Sequence, residues 1–230
     1  MLSANEIVHL QDRQTVAWHQ LTCATLESAP GSDGLPSATE DIWRDVSLDP
    51  LAADCRETWL TALTRQHRAN FELWHIEDEA RRLGAADAEL ASVKRRVDRT
   101  NQRRNDLAEA LDRFLLGWLE ARDLPAPLAP LNSESPGLII DRLSILSLKI
   151  YHTREEAKRP DAPEGHAERN RGRLAILEEQ RGDLSVCLEA LWQQTLAGTR
   201  RFKLYRQLKM YNDPSLNPAI YASHPGKTVA

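Results

Sequence analysis

The stretch Pro136–His152, PGLIIDRLSILSLKIYH, decides the fold. Its apolar residues, from Leu138 to Ile150, fall on most sides of a 3.6-residue helix. A helix greasy all round belongs at the centre of a bundle, packed by others. Asp141, Arg142 and Lys149 are nevertheless threaded through it. A buried charge must be paired or used. At about 100° per residue, Asp141, Ser144, Leu148 and His152 share one side, and Arg142 and Lys149 share a neighbouring strip. Either Asp141 pairs with an arginine from another helix, or it belongs to a site.

Working outward, helical periodicity continues on both sides and strand signals are scarce. A first helix is expected from the cap Ser3 to about Leu26, burying Ile7, Leu10, Val16 and Trp18. Ser28–Ala38, with Pro30, Gly31, Gly34 and Pro36, reads as a loop, with a short helix over Asp41–Val46. A long helix follows from Pro50, capped by Asp49, to Leu83, with Gly84 closing it. The next runs from Asp87 to Arg122; its middle, Lys94–Asp106, is polar nearly all round and reads as a solvated face. Pro125, Pro127 and Pro130 make Leu124–Leu131 a stiff connector. Ser135 is the expected cap of the central helix, which runs to about Ala157. Pro160 to Pro163 form a turn, and a last helix is expected from Glu164 to Tyr211. There is no internal repeat. The expectation is all-α: an antiparallel bundle of about five long helices over residues 1–212, with an extended C-terminal tail over 213–230.

Composition narrows the function classes. The 230 residues are 41% hydrophobic, enough for one sizeable core. Net charge is −4 and the isoelectric point about 6.0, so the chain as a whole is no nucleic-acid binder. Arginine far outnumbers lysine, which reads as genome composition. Cys23, Cys55 and Cys187 form no CxxC pair and no disulfide framework, which points to a reducing compartment. The N-terminal residues have neither the basic nor the apolar region of a signal peptide, and no apolar run reaches the roughly 18 residues of a membrane span. A cytoplasmic location is the expectation. GxGxxG, the P-loop, GxSxG and HExxH are all missing.

Two further segments carry chemistry. In Phe71–Arg82, FELWHIEDEARR, the residues His75, Asp78, Glu79 and Arg82 lie within about a third of the helix circumference. His75 with Glu79 or Asp78 has metal-chelating spacing. Glu72 and His75 make one Glu-x-x-His, the spacing of di-iron bundles, but the only other match is Glu6–His9, and such a site needs more glutamates. The bland alternative is a satisfied structural histidine. In Arg200–Pro214, RRFKLYRQLKMYNDP, five basic residues precede Asp213, interleaved with Tyr205, Tyr211 and Asn212. Such a patch either complements a helix C-terminus or holds a phosphate.

The blocks LWHIED (73–78), NSESPG (132–137), IDRLSILSLKIYH (140–152) and QLKMYNDP (207–214) resemble a bacterial family, domain-of-unknown-function family 4254. Ser135 stands where that family usually has threonine; either caps a helix. The resemblance spans residues 73–214 and implies a helical protein. It also implies a genomic setting beside sugar-transfer enzymes of lipopolysaccharide or surface-polysaccharide assembly, with no established activity and no known cofactor.

Three functional expectations follow. The first is a non-catalytic or accessory bundle protein of cell-surface glycan assembly, binding a phosphorylated sugar, a nucleotide-sugar or a glycosyltransferase partner. Arg142, Lys149 and Lys209 would neutralise phosphate, Tyr205 and Tyr211 would flank it, and Asn132, Glu134 and Asn212 would take sugar hydroxyls. The N-terminus after Ser135 would itself favour an anion. The second is a metal-dependent enzyme, with His75, Asp78, Glu79, Asp141 and His152 as candidate ligands and Glu134 and Asp141 as candidate catalytic groups. The third is a structural partner docking through Trp43, Trp59 or the tail over 217–221. The oligomeric state is left open.

Overall fold

The computed structural model describes residues 1–28, 55–82, 84–206 and 208, with residues 22–28 by backbone alone. Five helices make up the described fold: α1 (Ala4–Ser28), α2 (Cys55–Glu79), α3 (Asp87–Glu120), α4 (Pro136–Lys158) and α5 (His166–Leu196). The all-α bundle is as expected. The expected short helix at 41–46, the cap at Asp49, Trp43, Gln207, Lys209 and the tail lie outside the described residues.

α4 packs against all four other helices, as its all-round apolar sequence demands. Ile139, Ile140, Leu143, Leu148 and Ile150 are buried, and the core also takes Trp59, Leu63, Leu111, Phe114, Leu119 and Phe202. Trp59 is only 2% exposed and stacks on Phe114, which removes it as a docking surface. α1, α2 and α4 run the same way: Thr15 meets His67 and His67 meets Ser144, while His19 meets both His75 and His152 further along. α3 and α5 run against them, each joined to a neighbour by a short turn.

The helix ends follow from local chemistry. Ser3 and Glu6 form a reciprocal capping box: the Ser3 N–H donates to Glu6 Oε2 at 2.8 Å and the Glu6 N–H to Ser3 Oγ at 3.3 Å. Ile7 is buried, but Val16, expected inside, is 43% exposed. Ser135 occupies the cap position of α4 yet makes no capping bond; its hydroxyl donates to Asp112 Oδ2 instead. Asp112, from α3, does the capping, accepting the Gly137 N–H on Oδ1 at 2.7 Å.

α5 stops 15 residues short of the expected Tyr211. Gly198 turns left-handed, at φ 71°. The N–H groups of Gly198 and Thr199 return to the carbonyls of Thr195 and Gln194, closing a Schellman motif. The chain then runs extended. Arg201 bridges Leu131 in parallel, the Asn132 N–H donating to the Arg201 carbonyl at 2.7 Å, and Phe202 plugs the core. Arg200, Arg201, Lys203, Tyr205 and Arg206 thus sit on an extended strap and not at a helix C-terminus.

Candidate functional site

Two polar layers cross the interior, one above the other along the parallel helices α1, α2 and α4. Polar residues recur four apart on α1 (Gln11, Thr15, His19), and eight apart on α2 (His67, His75) and α4 (Ser144, His152), so each helix presents one face to both layers.

The lower layer is a closed network. Asp141, 9% exposed, accepts on Oδ1 from Gln66 Nε2 at 2.6 Å and Asn70 Nδ2 at 2.9 Å, with Arg104 Nε 3.9 Å away. Burial raises its carboxyl above the usual range, and the Arg104 charge opposes that. Asn70 also donates to Ser144 Oγ at 2.9 Å, and Ser144 meets His67 Nδ1 at 2.7 Å. Thr15 Oγ1 donates to the Gln11 carbonyl, so it must accept from His67 Nε2, 2.9 Å away. His67 Nδ1 is therefore the bare nitrogen and takes the Ser144 proton. The Ser144 bond requires a neutral imidazole, and complete burial pulls His67 down to about 3. The pairing of Asp141 with an arginine from another helix, foreseen from sequence, is therefore Arg104 of α3. Arg103 and Arg104 turn inward from a stretch expected to be solvated.

The upper layer is aromatic and imidazole-rich. The rings of His19, His75 and His152 stand 5.2 Å (His19–His75), 4.9 Å (His19–His152) and 6.2 Å (His75–His152) apart, from three different helices. Tyr151 stacks on His19 and Trp74 stacks on His152, the latter at 4.6 Å and 4°. Nδ1 of His19 lies 2.7 Å from the Thr15 carbonyl, and Nδ1 of His75 lies 2.8 Å from the Phe71 carbonyl. A carbonyl only accepts, so both protons are on Nδ1 and both Nε2 atoms carry lone pairs. Burial lowers His19 and brings His152 down to about 4, with the neighbouring imidazoles adding to both. Phe71 and Trp18 separate the two layers.

Beside His152 the surface opens. A cleft of about 430 Å³ lies between Trp74 of α2, Lys149, His152, Thr153 and Glu156 of α4, and Asn170, Arg173, Ile176, Leu177 and Gln180 of α5. Lys149 and Gln180 are shared with a second recess of about 460 Å³ that reaches Arg142 and Asp183. Lys149 and Arg173 form no ion pair among the described residues; Arg173 makes only a 3.4 Å bond to Asn170 Oδ1. A larger hollow, about 740 Å³ between α1 and α5, offers less chemistry: its Arg181 is held by Asp12, and its Glu189 by the Ala4 N–H and Gln193.

The sequence candidates divide accordingly. His75 and His152 come together; Asp141 lies in the other layer. Glu79 is held by Arg96 of α3, and Asp78 by Arg81. Glu134 is clasped by Arg142 at 2.9 Å through both its oxygens, which ties up a candidate base and a candidate phosphate ligand together. Asn132 is spent on the Glu134 carbonyl at 2.8 Å. Asn132 and Glu134 lie in the α3–α4 connector and Tyr205 on the strap after α5, with Lys149 about 20 Å along α4 from its start. Lys209, Tyr211 and Asn212 lie outside the described residues. His19, His67, Trp74 and Arg173 were not foreseen.

The family model described as "Protein of unknown function (DUF4254)" matches residues 60–204. The chain belongs to this family. The matched span takes in most of α2, all of α3, α4 and α5, and the strap through Leu204, so the DUF4254 region contains Trp74, His75, Lys149, His152 and Arg173 and leaves His19 outside it. No curated protein and no solved structure matches the chain. Among the described residues, no helix is long and apolar enough to cross a membrane.

Proposed function

We propose that the α4–α5 cleft binds a small phosphorylated ligand, of the sugar-phosphate or nucleotide-sugar class, and that the protein serves cell-surface glycan assembly. One observation carries this reading: Lys149 and Arg173 line the same cleft, and neither forms an ion pair among the described residues. Two such cations are the complement of a phosphoryl group. Asn170, Gln180 and Thr153 supply donors and acceptors for hydroxyls, and Trp74, Leu177 and the 56% exposed Ile176 supply an apolar wall. The glycan setting rests on the family resemblance, and a glycosyltransferase partner would deliver or receive the ligand there.

Calorimetric titration of the full chain against inorganic phosphate, sugar phosphates and nucleotide-sugars tests the reading. Saturable binding that weakens at least tenfold in a folded Lys149→Gln/Arg173→Gln protein is the expected result. Silence across the panel, or binding indifferent to both substitutions, removes the reading.

A further inference from the structure

We propose that the recess lined by Arg142, Lys149 and Asp183 is a sugar subsite, in which Asp183 takes hydroxyls of an uncharged hexose whose phosphoryl group lies on Lys149 and Arg173. The assignment rests on the reading of the cleft above and adds the part of the ligand that the cations do not hold.

The first support is continuity. The cleft of about 430 Å³ and the recess of about 460 Å³ share Lys149 and Gln180, so a ligand seated in one reaches into the other. Each is large enough for a small molecule, for which about 300 Å³ is the lower bound. The second is the order of charges. Arg173 lines the cleft, Asp183 lines the recess, and Lys149 lines both. Arg142, about 10 Å along α4 from Lys149, is neutralised by Glu134 at 2.9 Å. Asp183 repels a phosphoryl group, which therefore settles toward Arg173 and turns the rest of the molecule to the recess.

The third support is unspent bonding capacity. Asp183 is exposed and, among the described residues, forms no ion pair, not even with Lys149 in the same recess. Its two oxygens have room for about four donors, and a hydroxyl bonded to a carboxylate is roughly twice as strong as a neutral pair. Gln180, about 4.5 Å away along α5, offers both a donor and an acceptor. Ile145, Leu146 and Leu184 line the same recess and supply apolar surface for the C–H face of a pyranose ring. The carboxylate also excludes: a uronic acid would set a second negative charge against Asp183.

Calorimetric titration of the full chain against inorganic phosphate, glucosyl, galactosyl and mannosyl phosphates, and glucuronosyl phosphate tests the subsite. At least one hexosyl phosphate is expected to bind at least tenfold more tightly than inorganic phosphate and than glucuronosyl phosphate. Asp183→Asn should reduce both preferences at least fivefold while inorganic phosphate binds no more weakly. The selectivity of the wild-type protein is read without any variant. Lys149→Gln should weaken every member of the panel. Phosphate binding that depends on Lys149 but shows no preference for a hexosyl group, or a preference that Asp183→Asn leaves intact, overturns the sugar subsite and leaves the cleft reading standing. Absence of binding by every member of the panel overturns both.

Discussion

Asp112 of α3 holds the first turn of α4 from outside: its carboxylate takes the Gly137 N–H at 2.7 Å and the Ser135 hydroxyl on its other oxygen. An anion at a helix N-terminus satisfies orphan donors and complements the dipole. The central helix is thus capped by a neighbouring helix and not by its own preceding residue. The anion expected there as a ligand is supplied by the protein itself.

This close approach makes Gly137 indispensable. A methyl group in its place would collide with the Ala108 carbonyl oxygen and lie 2.9 Å from Asp112 Cγ. Backbone cannot yield as a flexible side chain does. Gly137→Ala should cost about 3 kcal/mol or more of unfolding free energy, measured by urea denaturation. A loss under about 1 kcal/mol would mean that α3 and α4 are packed less closely.

Asp112 also predicts a pH effect. Burial, opposed by the Ser135 and Gly137 bonds, raises its carboxyl from 3.8 to about 6. Its folded value lies above its unfolded one, so the favourable contribution is full below about pH 3.8 and is lost as pH rises through about 6. Against an Asp112→Asn reference, the wild-type protein should lose stability between those limits, by an amount on the order of 2 kcal/mol. A flat difference from pH 4 to pH 7 would contradict the assignment.

His67 predicts the opposite slope. Its imidazole falls from 6.5 to about 3 because the buried site admits only the neutral ring. That contribution is full above about pH 6.5 and is lost as pH falls through about 3. His67→Gln should be less stable at neutral pH by about 2 kcal/mol, since Thr15 or Ser144 loses its partner. It should also show a shallower acid limb in stability measured against pH. An unchanged limb would place the proton uptake elsewhere.

The fold was legible because its signals are local. An apolar circumference marked α4 as central, and Pro and Gly marked the breaks around it. The overrun of α5 came from following periodicity past Gly198, whose left-handed turn was the available stop signal. The site was legible only in part. His75 and His152 stand out because each sits in a patterned segment. His19 does not: its neighbours are more than 50 residues away in sequence, and only the parallel placement of α1, α2 and α4 brings them to it. Glu134 and Arg142 were read as separate ligands, yet eight residues and one helix start suffice to make them partners. Arg173 carries no signal in the sequence; that it forms no ion pair among the described residues is a property of the assembled surface.

The stacked polar layers have a mechanical consequence for α1. A purely oily seam tolerates one-turn slippage of about 5.4 Å, because ridges repeat at that interval. Sliding α1 by one turn would set Gln11 or His19 where Thr15 now meets His67, breaking a bonded chain that runs from Asn70 to the Gln11 carbonyl. Only one axial setting of the helix satisfies both tiers at once. The interior hydrogen bonds thus act as a vernier, fixing the height of His19 opposite His75 and His152 from a full turn away.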